Sequence, residues 1–286
     1  ATNAYNVAVG YSAGTAVTTG TNNTLIGGLA GDSVTTGSYN TLLGTVAGDA
    51  LTTANSNVAV GYSALSTDTL GAKNVAVGVS ALLTQNFTTA TDSYNTGVGH
   101  NAGKLITTGV NNTLIGGLAG DAITDADWNV SLGYRSLSSN TVGSKSVAIG
   151  SYALDVQNPA TATDMFNTAV GHYAGQAVTT GTGNTLIGGL AGDALTTSNN
   201  NVAIGYQALT TDTLGTKTVA IGVDALKSQN QTTNTDTYNV ALGYYAGRDV
   251  TTGIQNTLIG GLAGDALTDA DANVAIGVGA LGADTL

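Results

Sequence analysis

The chain has no cysteine, one proline, one methionine and one tryptophan in 286 residues, and only 9% of its residues are charged. Without cysteine there are neither disulfides nor thiolate metal sites. Lysine, glutamate and helix-forming runs are nearly missing, which argues against a helical protein. No apolar run approaches the roughly 18 residues that a membrane-spanning helix needs, so no membrane insertion is expected. Basic residues are few: seven Lys and Arg stand against eighteen acidic residues, for a net charge of −11. A phosphate backbone or an anionic lipid surface would be repelled, and nucleic acid is not an expected partner.

What is plentiful is glycine, at 41 residues, set among Val, Ile, Thr, Ala and Asn, the residues of short strands between tight turns. The stretch from Asn184 to Thr197, NTLIGGLAGDALTT, has close copies beginning at Asn23, Asn112 and Asn256. Looser copies tile the chain, with starts at Asn6, Asn23, Asn40, Asn57, Asn74, Asn95, Asn112, Asn129, Ser146, Asn167, Asn184, Asn201, Thr218, Asn239, Asn256 and Asn273. Successive starts are mostly seventeen apart, as from Asn23 to Asn40, but the copies at Asn74, Ser146 and Thr218 are longer by four, which sets a higher period spanning four copies. This pattern predicts an all-β fold, a parallel β-solenoid (β-roll) of about sixteen coils forming one repeat array over residues 1–286. Ala1–Tyr5 matches the tail of a long coil, as in Ala90–Tyr94, and Gly282–Leu286 stops where Thr210–Leu214 continues. The array therefore reads as a section of a longer fibre.

Counting each coil from its Asn as position one, position five is Gly in every coil, as a sharp turn or positive φ requires. Position four is always Val, Ile or Leu, and is expected to be the inward, buried row. Position eight is Ala except at Ser136, which predicts room for one methyl group. Positions nine and twelve change together: Gly31, Gly103 and Gly192 accompany Val34, Ile106 and Leu195, whereas Leu65, Leu137 and Leu209 accompany the polar Asp68, Asn140 and Asp212. In that second kind Leu70, Val142 and Leu214 appear at position fourteen, so core volume is expected to be conserved by exchange. Asn at position one and Thr at position thirteen are expected to form ladders that satisfy turn backbone from coil to coil.

Positions three and four are both apolar in most coils, which puts large side chains on both faces of the strand. One face fills the thin interior, and the other, assigned to Leu25, Leu42, Leu114, Leu186 and Leu258, would leave an outer apolar stripe. Such a stripe predicts self-association.

Asn57–Gly61 (NVAVG), Ser146–Gly150 (SVAIG) and Asn201–Gly205 (NVAIG), each followed by a small residue at position eight, resemble the head repeats of trimeric autotransporter adhesins. Asn201–Leu209, NVAIGYQAL, and Asn167–Gly181, NTAVGHYAGQAVTTG, are still more similar to repeat arrays of phage tail fibres. The autotransporter head coil is shorter than the usual coil of this chain, which favours the phage-fibre comparison. The resemblance covers nearly the whole chain. It implies a left-handed parallel β-roll in a homotrimeric fibre, a structural role in attachment, and a place on a virion or other extracellular surface. A bacterial surface adhesin or filament is the alternative, and an ice-binding solenoid a remoter one.

Few residues suggest chemistry. His100 and His172 stand at position six, where Tyr11 and Tyr244 stand elsewhere, so an aromatic ring with a polar tip outweighs a metal ligand. The Gly-Gly-Leu-Ala-Gly-Asp segments ending at Asp32, Asp121, Asp193 and Asp265 resemble calcium-binding nonapeptides, but the coil period is no multiple of nine, and they read as turn carboxylates. Asp125 with Asp127 and Asp269 with Asp271 read the same way. Lys73, Lys145 and Lys217 recur at the higher period, and either pair with turn carboxylates of neighbouring coils or have no partner. No nucleophile, base and acid can be assembled, so neither an enzyme nor a cofactor is expected. The insertions at Thr88–Tyr94, Ala160–Phe166 and Thr232–Tyr238 each end in an aromatic, and Tyr94, Phe166 and Tyr238 are candidate contacts for a host receptor or glycan, the alternative being that they cover the exposed edge of the core.

Overall fold

Positions two to four of each coil form a three-residue strand, as at Thr24–Ile26, Val58–Val60 and Val202–Ile204, in a computed structural model that describes residues 3–283. β-Branched residues there favour extended backbone. Each strand pairs in parallel with the same positions one coil on: Thr24 with Thr41, Leu25 with Leu42, Ile26 with Leu43. No helix occurs among the described residues. The chain divides into two compact units, Ala1–Val142 and Gly143–Leu286. Each is a parallel β-solenoid of eight turns, spaced as the sequence period predicts. Ala1, Thr2, Asp284, Thr285 and Leu286, on which the reading of the chain ends draws, lie outside the described residues.

Glycine at position five is explained by two facts together. At Gly116 φ is +132°, and a Cβ would stand 2.6 Å from the carbonyl oxygen of Gly133 on the next coil. Within each unit the glycines form a column, each but the last closed over by the backbone of the next. Left-handed backbone also occurs where no glycine announces it. Leu29, Val46 and Tyr173 at position seven, Leu65 and Leu137 at position nine, and Tyr39 and Trp128 at position seventeen all have φ between 51° and 61°. Each costs about 1–2 kcal/mol for a residue with a Cβ. Backbone bonds to neighbouring coils offset that cost: Leu29 N–H donates to Tyr11 O at 2.7 Å, Leu65 N–H to Ala81 O at 3.0 Å, and Trp128 N–H to Val110 O at 3.1 Å. The turns are thus ladders in their own right.

The interior requires one correction. Leu25, Leu42, Leu114, Leu186 and Leu258, expected at a subunit interface, are at most 1% exposed inside their own coils. Position four, expected inward, faces out. In a three-residue strand the middle side chain points one way and both flanking ones the other, so position three is core and positions two and four are surface. Position three then explains the volume rule. Where it is Leu, position nine is Gly, and where position nine is Leu, position three is Ala or Ser, as in Ala59 with Leu65 and Ser131 with Leu137. A Cβ on Gly103 would lie 2.7 Å from Leu114 Cδ1 and 2.8 Å from Leu82 Cδ2, so leucines from the coils on either side fill the space over that glycine. The exchange with position twelve holds as well, since Val34, Ile106 and Leu195 are buried, as are Leu65, Leu137 and Leu209. Leu70, Val142 and Leu214 are only half-buried and contribute less than expected. Ala at position eight is buried in all but the first and last coils, and the exception in type, Ser136, meets Ser131 Oγ at 2.5 Å.

Both predicted ladders form. Asn40 Oδ1 accepts from the backbone N–H of Asn57 at 3.0 Å, while its amide donates to Ala54 O at 2.9 Å, closing its own coil. Thr35 Oγ1 donates to Thr52 O at 3.2 Å, and Thr52 Oγ1 to Thr69 O at 3.1 Å. The long coils use their extra residues to add a second strand pair: Gly71–Ala72 with Thr91–Asp92, Gly143–Ser144 with Thr163–Asp164, and Gly215–Thr216 with Thr235–Asp236. Phe87 and Met165 are buried beneath them. The insertions therefore cover the core as well as protruding.

Candidate functional site

Two surface features are built by the repeat. The first is the outer face of the main sheet in each unit. It shows only Val and Thr at position two and only Val, Ile and Leu at position four among the strands. The row in the first unit includes Val9, Leu43 and Leu132, 58%, 44% and 43% exposed, and in the second Leu242 and Ile276, at 44% and 68%. The aliphatic row recurs in every coil, half-buried in most and exposed in the rest, and forms an apolar outer face on each unit.

The second feature is the cluster at the end of each long coil. Tyr94, Phe166 and Tyr238, the predicted contact residues, are exposed, each with φ near 50°. Each ring carries a lysine from the preceding coil: Lys73, Lys145 and Lys217 Nζ lie 5.0, 5.4 and 5.2 Å from the respective ring centroids. The same lysines bridge Asp92, Asp164 and Asp236 at 2.6, 2.5 and 2.5 Å. The periodic recurrence of lysine is thus a recurrence of this triad. Hydrogen bonds to Asp92 and Tyr94 raise the pKa of Lys73 above its ordinary value. Lys217 is raised in the same way by Asp236 and Tyr238, and Asp236 is lowered by Lys217 and then by Thr216. Ion pairs this exposed hold geometry more than they add stability.

Beneath the first and third triads lies a buried network. Asp68 Oδ1 accepts from the N–H groups of Gly71 at 3.0 Å and Phe87 at 3.2 Å, and its Oδ2 from Gln85 Nε2 at 2.6 Å. Gln85 Oε1 in turn accepts from Asn95 Nδ2 at 2.9 Å. Asp212, Gln229, Gln231 and Asn239 repeat the arrangement. The sequence marks Asp68, Gln85, Asp212 and Gln229 only as a polar twelfth position, while Asn95 and Asn239 belong to the ladder at position one.

The remaining candidates are dispersed. His100 and His172 are exposed and lie in different units, His172 edge-on to Tyr173 at 4.0 Å between centroids. Asp121 accepts from Ser138 Oγ at 2.8 Å, and Asp193 from Thr210 Oγ1. Asp127 and Asp271 accept from the backbone N–H of Val110 and Ile254 one coil back. Among the described residues no group of three His, Cys, Asp or Glu could hold a metal ion. No helix is long and apolar enough to cross a membrane among those residues. The fold defines the chain as a repeat protein of the parallel β-solenoid class. No family model, curated protein or solved structure matches it.

Proposed function

We propose that this chain is a structural fibre segment of an attachment device, the shaft of a viral tail fibre or receptor-binding fibre, assembled from three parallel copies at an extracellular or virion surface. The observation that carries the proposal is the uninterrupted aliphatic row at position four, flanked by Val and Thr at position two. Its burial between copies would recover about 25 cal/mol for each Å² of apolar surface removed from water. The row recurs in every coil, so the stabilisation grows with length, as suits a fibre. The similarity of the NVAIGYQAL and NTAVGHYAG segments to tail-fibre arrays supports the viral setting over a bacterial filament.

Light scattering coupled to size exclusion tests assembly directly, with a mass three times 28.1 kDa expected. Leu43→Lys combined with Leu242→Asp places charge on the outer face of both units, and should yield a folded monomer with unchanged β-type circular dichroism. A parent chain that stays monomeric at high concentration would sink the proposal.

A further inference from the structure

The last position of each coil, seventeen or in the long coils twenty-one, precedes the first residue of the following coil, buried in all but the end coils, and is left-handed throughout. In the first unit this column reads Tyr5, Asn22, Tyr39, Ser56, Lys73, Tyr94, Asn111 and Trp128. Its four rings are 71%, 64%, 51% and 59% exposed. They are large apolar surfaces at a corner, separate from the aliphatic face, and the proposed assembly gives them no role. The strand register sets their spacing. Tyr94 and Trp128 stand two rungs apart, since Thr96 pairs with Thr113 and Thr113 with Val130. Tyr5 and Tyr39 are likewise two rungs apart. Two rungs span about 9.4–9.8 Å.

We propose that the Tyr94–Asn111–Trp128 corner binds a neutral, extended, β-1,4-linked glycan lying along the column. In such a chain every second sugar presents the same C–H face, at a repeat close to two rungs, so both rings can stack at once. The rung between supplies polar contact: the Asn111 side-chain amide makes no hydrogen bond among the described residues, and Lys73 and Asp92 flank Tyr94. Rings separated by polar side chains suit the alternating apolar and hydroxylated surface of a sugar chain, and suit a dry protein interface poorly. The backbone is preorganised, since the N–H of Asn111 donates to Ser93 O at 2.8 Å and that of Trp128 to Val110 O at 3.1 Å. The net charge of −11 disfavours uronate or sialylated polymers, which selects the neutral class.

Trp128 is the sole tryptophan, so its emission reports on this corner alone. Titration with the hexamer of β-1,4-linked N-acetylglucosamine should shift and saturate that emission. The disaccharide, too short to span both rings, should bind about ten-fold more weakly, and an oligouronate of equal length should give no saturable change. Tyr94→Ala should weaken the hexamer by about five-fold, Tyr94→Phe should restore it, and Tyr62→Ala, an exposed ring in another column, should leave it unchanged. Light scattering on Tyr94→Ala should match the parent, which separates this proposal from fibre assembly. Emission indifferent to the hexamer, an equal response to the oligouronate, or equal losses in Tyr94→Ala and Tyr62→Ala would overturn it.

Discussion

At the scale of the residue, this protein places ordinary side chains where backbone sterics usually demand glycine, and at position five keeps glycine because the next coil's backbone leaves no room. Gly116 and its neighbour Gly117 make the contrast testable. A Cβ at Gly116 would meet the Gly133 carbonyl at 2.6 Å with φ at +132°, whereas one at Gly117 would meet only Tyr134 Cδ2 at 3.6 Å. Gly116→Ala should therefore lose at least about 1–3 kcal/mol from backbone strain alone, and Gly117→Ala should stay within about 0.5 kcal/mol of the parent, as read by chemical denaturation. Equal effects would mean that the glycine column is not what brings the coils so close. The column itself is legible in the sequence, because only Gly fits. The left-handed corners at Leu65, Tyr39 and Trp128 are not, because no residue preference marks them and inter-coil hydrogen bonds alone hold them.

At the scale of the element, the first and third long coils each rest on one buried carboxylate, Asp68 and Asp212. Asp68 takes three N–H bonds, from Gly71, Phe87 and Gln85, and so ties the residues that lead into the inserted segment to the preceding coil. Asp68→Ala would strand those donors and should cost about 3–5 kcal/mol, with early loss of protection at Thr91–Asp92 in hydrogen exchange. Asp68→Asn keeps an acceptor for the two backbone donors and should cost clearly less; Asn140 occupies the same position in another coil. A mild Asp68→Ala would show that the insertion is held by Phe87 packing instead. The strand itself shows why the core assignment from sequence is inverted. Invariance at position four looks like a core constraint, but the core has a fixed volume to share, so its residues vary together: Leu114 with Gly120, Ala59 with Leu65. Position four, always Val, Ile or Leu with no partner residue that changes with it, faces outward.

At the scale of the whole molecule, acidic charge and its partial burial set the response to pH. Burial raises the pKa of Asp49 and Asp193 above 3.8, so their ionised forms destabilise the fold at neutral pH, and that cost is relieved as pH falls through the raised values. Lys217 and Thr216 lower Asp236, and Arg248 lowers Asp249; their contribution is present above 3.8 and is lost as pH falls through the lowered values. Protonation also reduces self-repulsion in a chain of net charge −11. The melting temperature should therefore hold or rise from neutral pH down to 3.8 and fall only below it. A steady decline across that interval would show that the paired carboxylates outweigh the buried ones.

The sequence by itself determined the architecture: the period, the strand at each repeat, the glycine column and the Asn and Thr ladders follow from local backbone needs that recur every coil. It also showed that large apolar side chains occupy both faces of the strand. Only the tertiary structure decided which face is which. That choice depends on how the coil closes, and closing turns position three, with Leu25, Leu42, Leu114, Leu186 and Leu258, toward the interior and position four toward solvent. It likewise decided that Tyr94 and Trp128, distant along the chain, stand two rungs apart on one corner, since only parallel register converts sequence distance into that spacing.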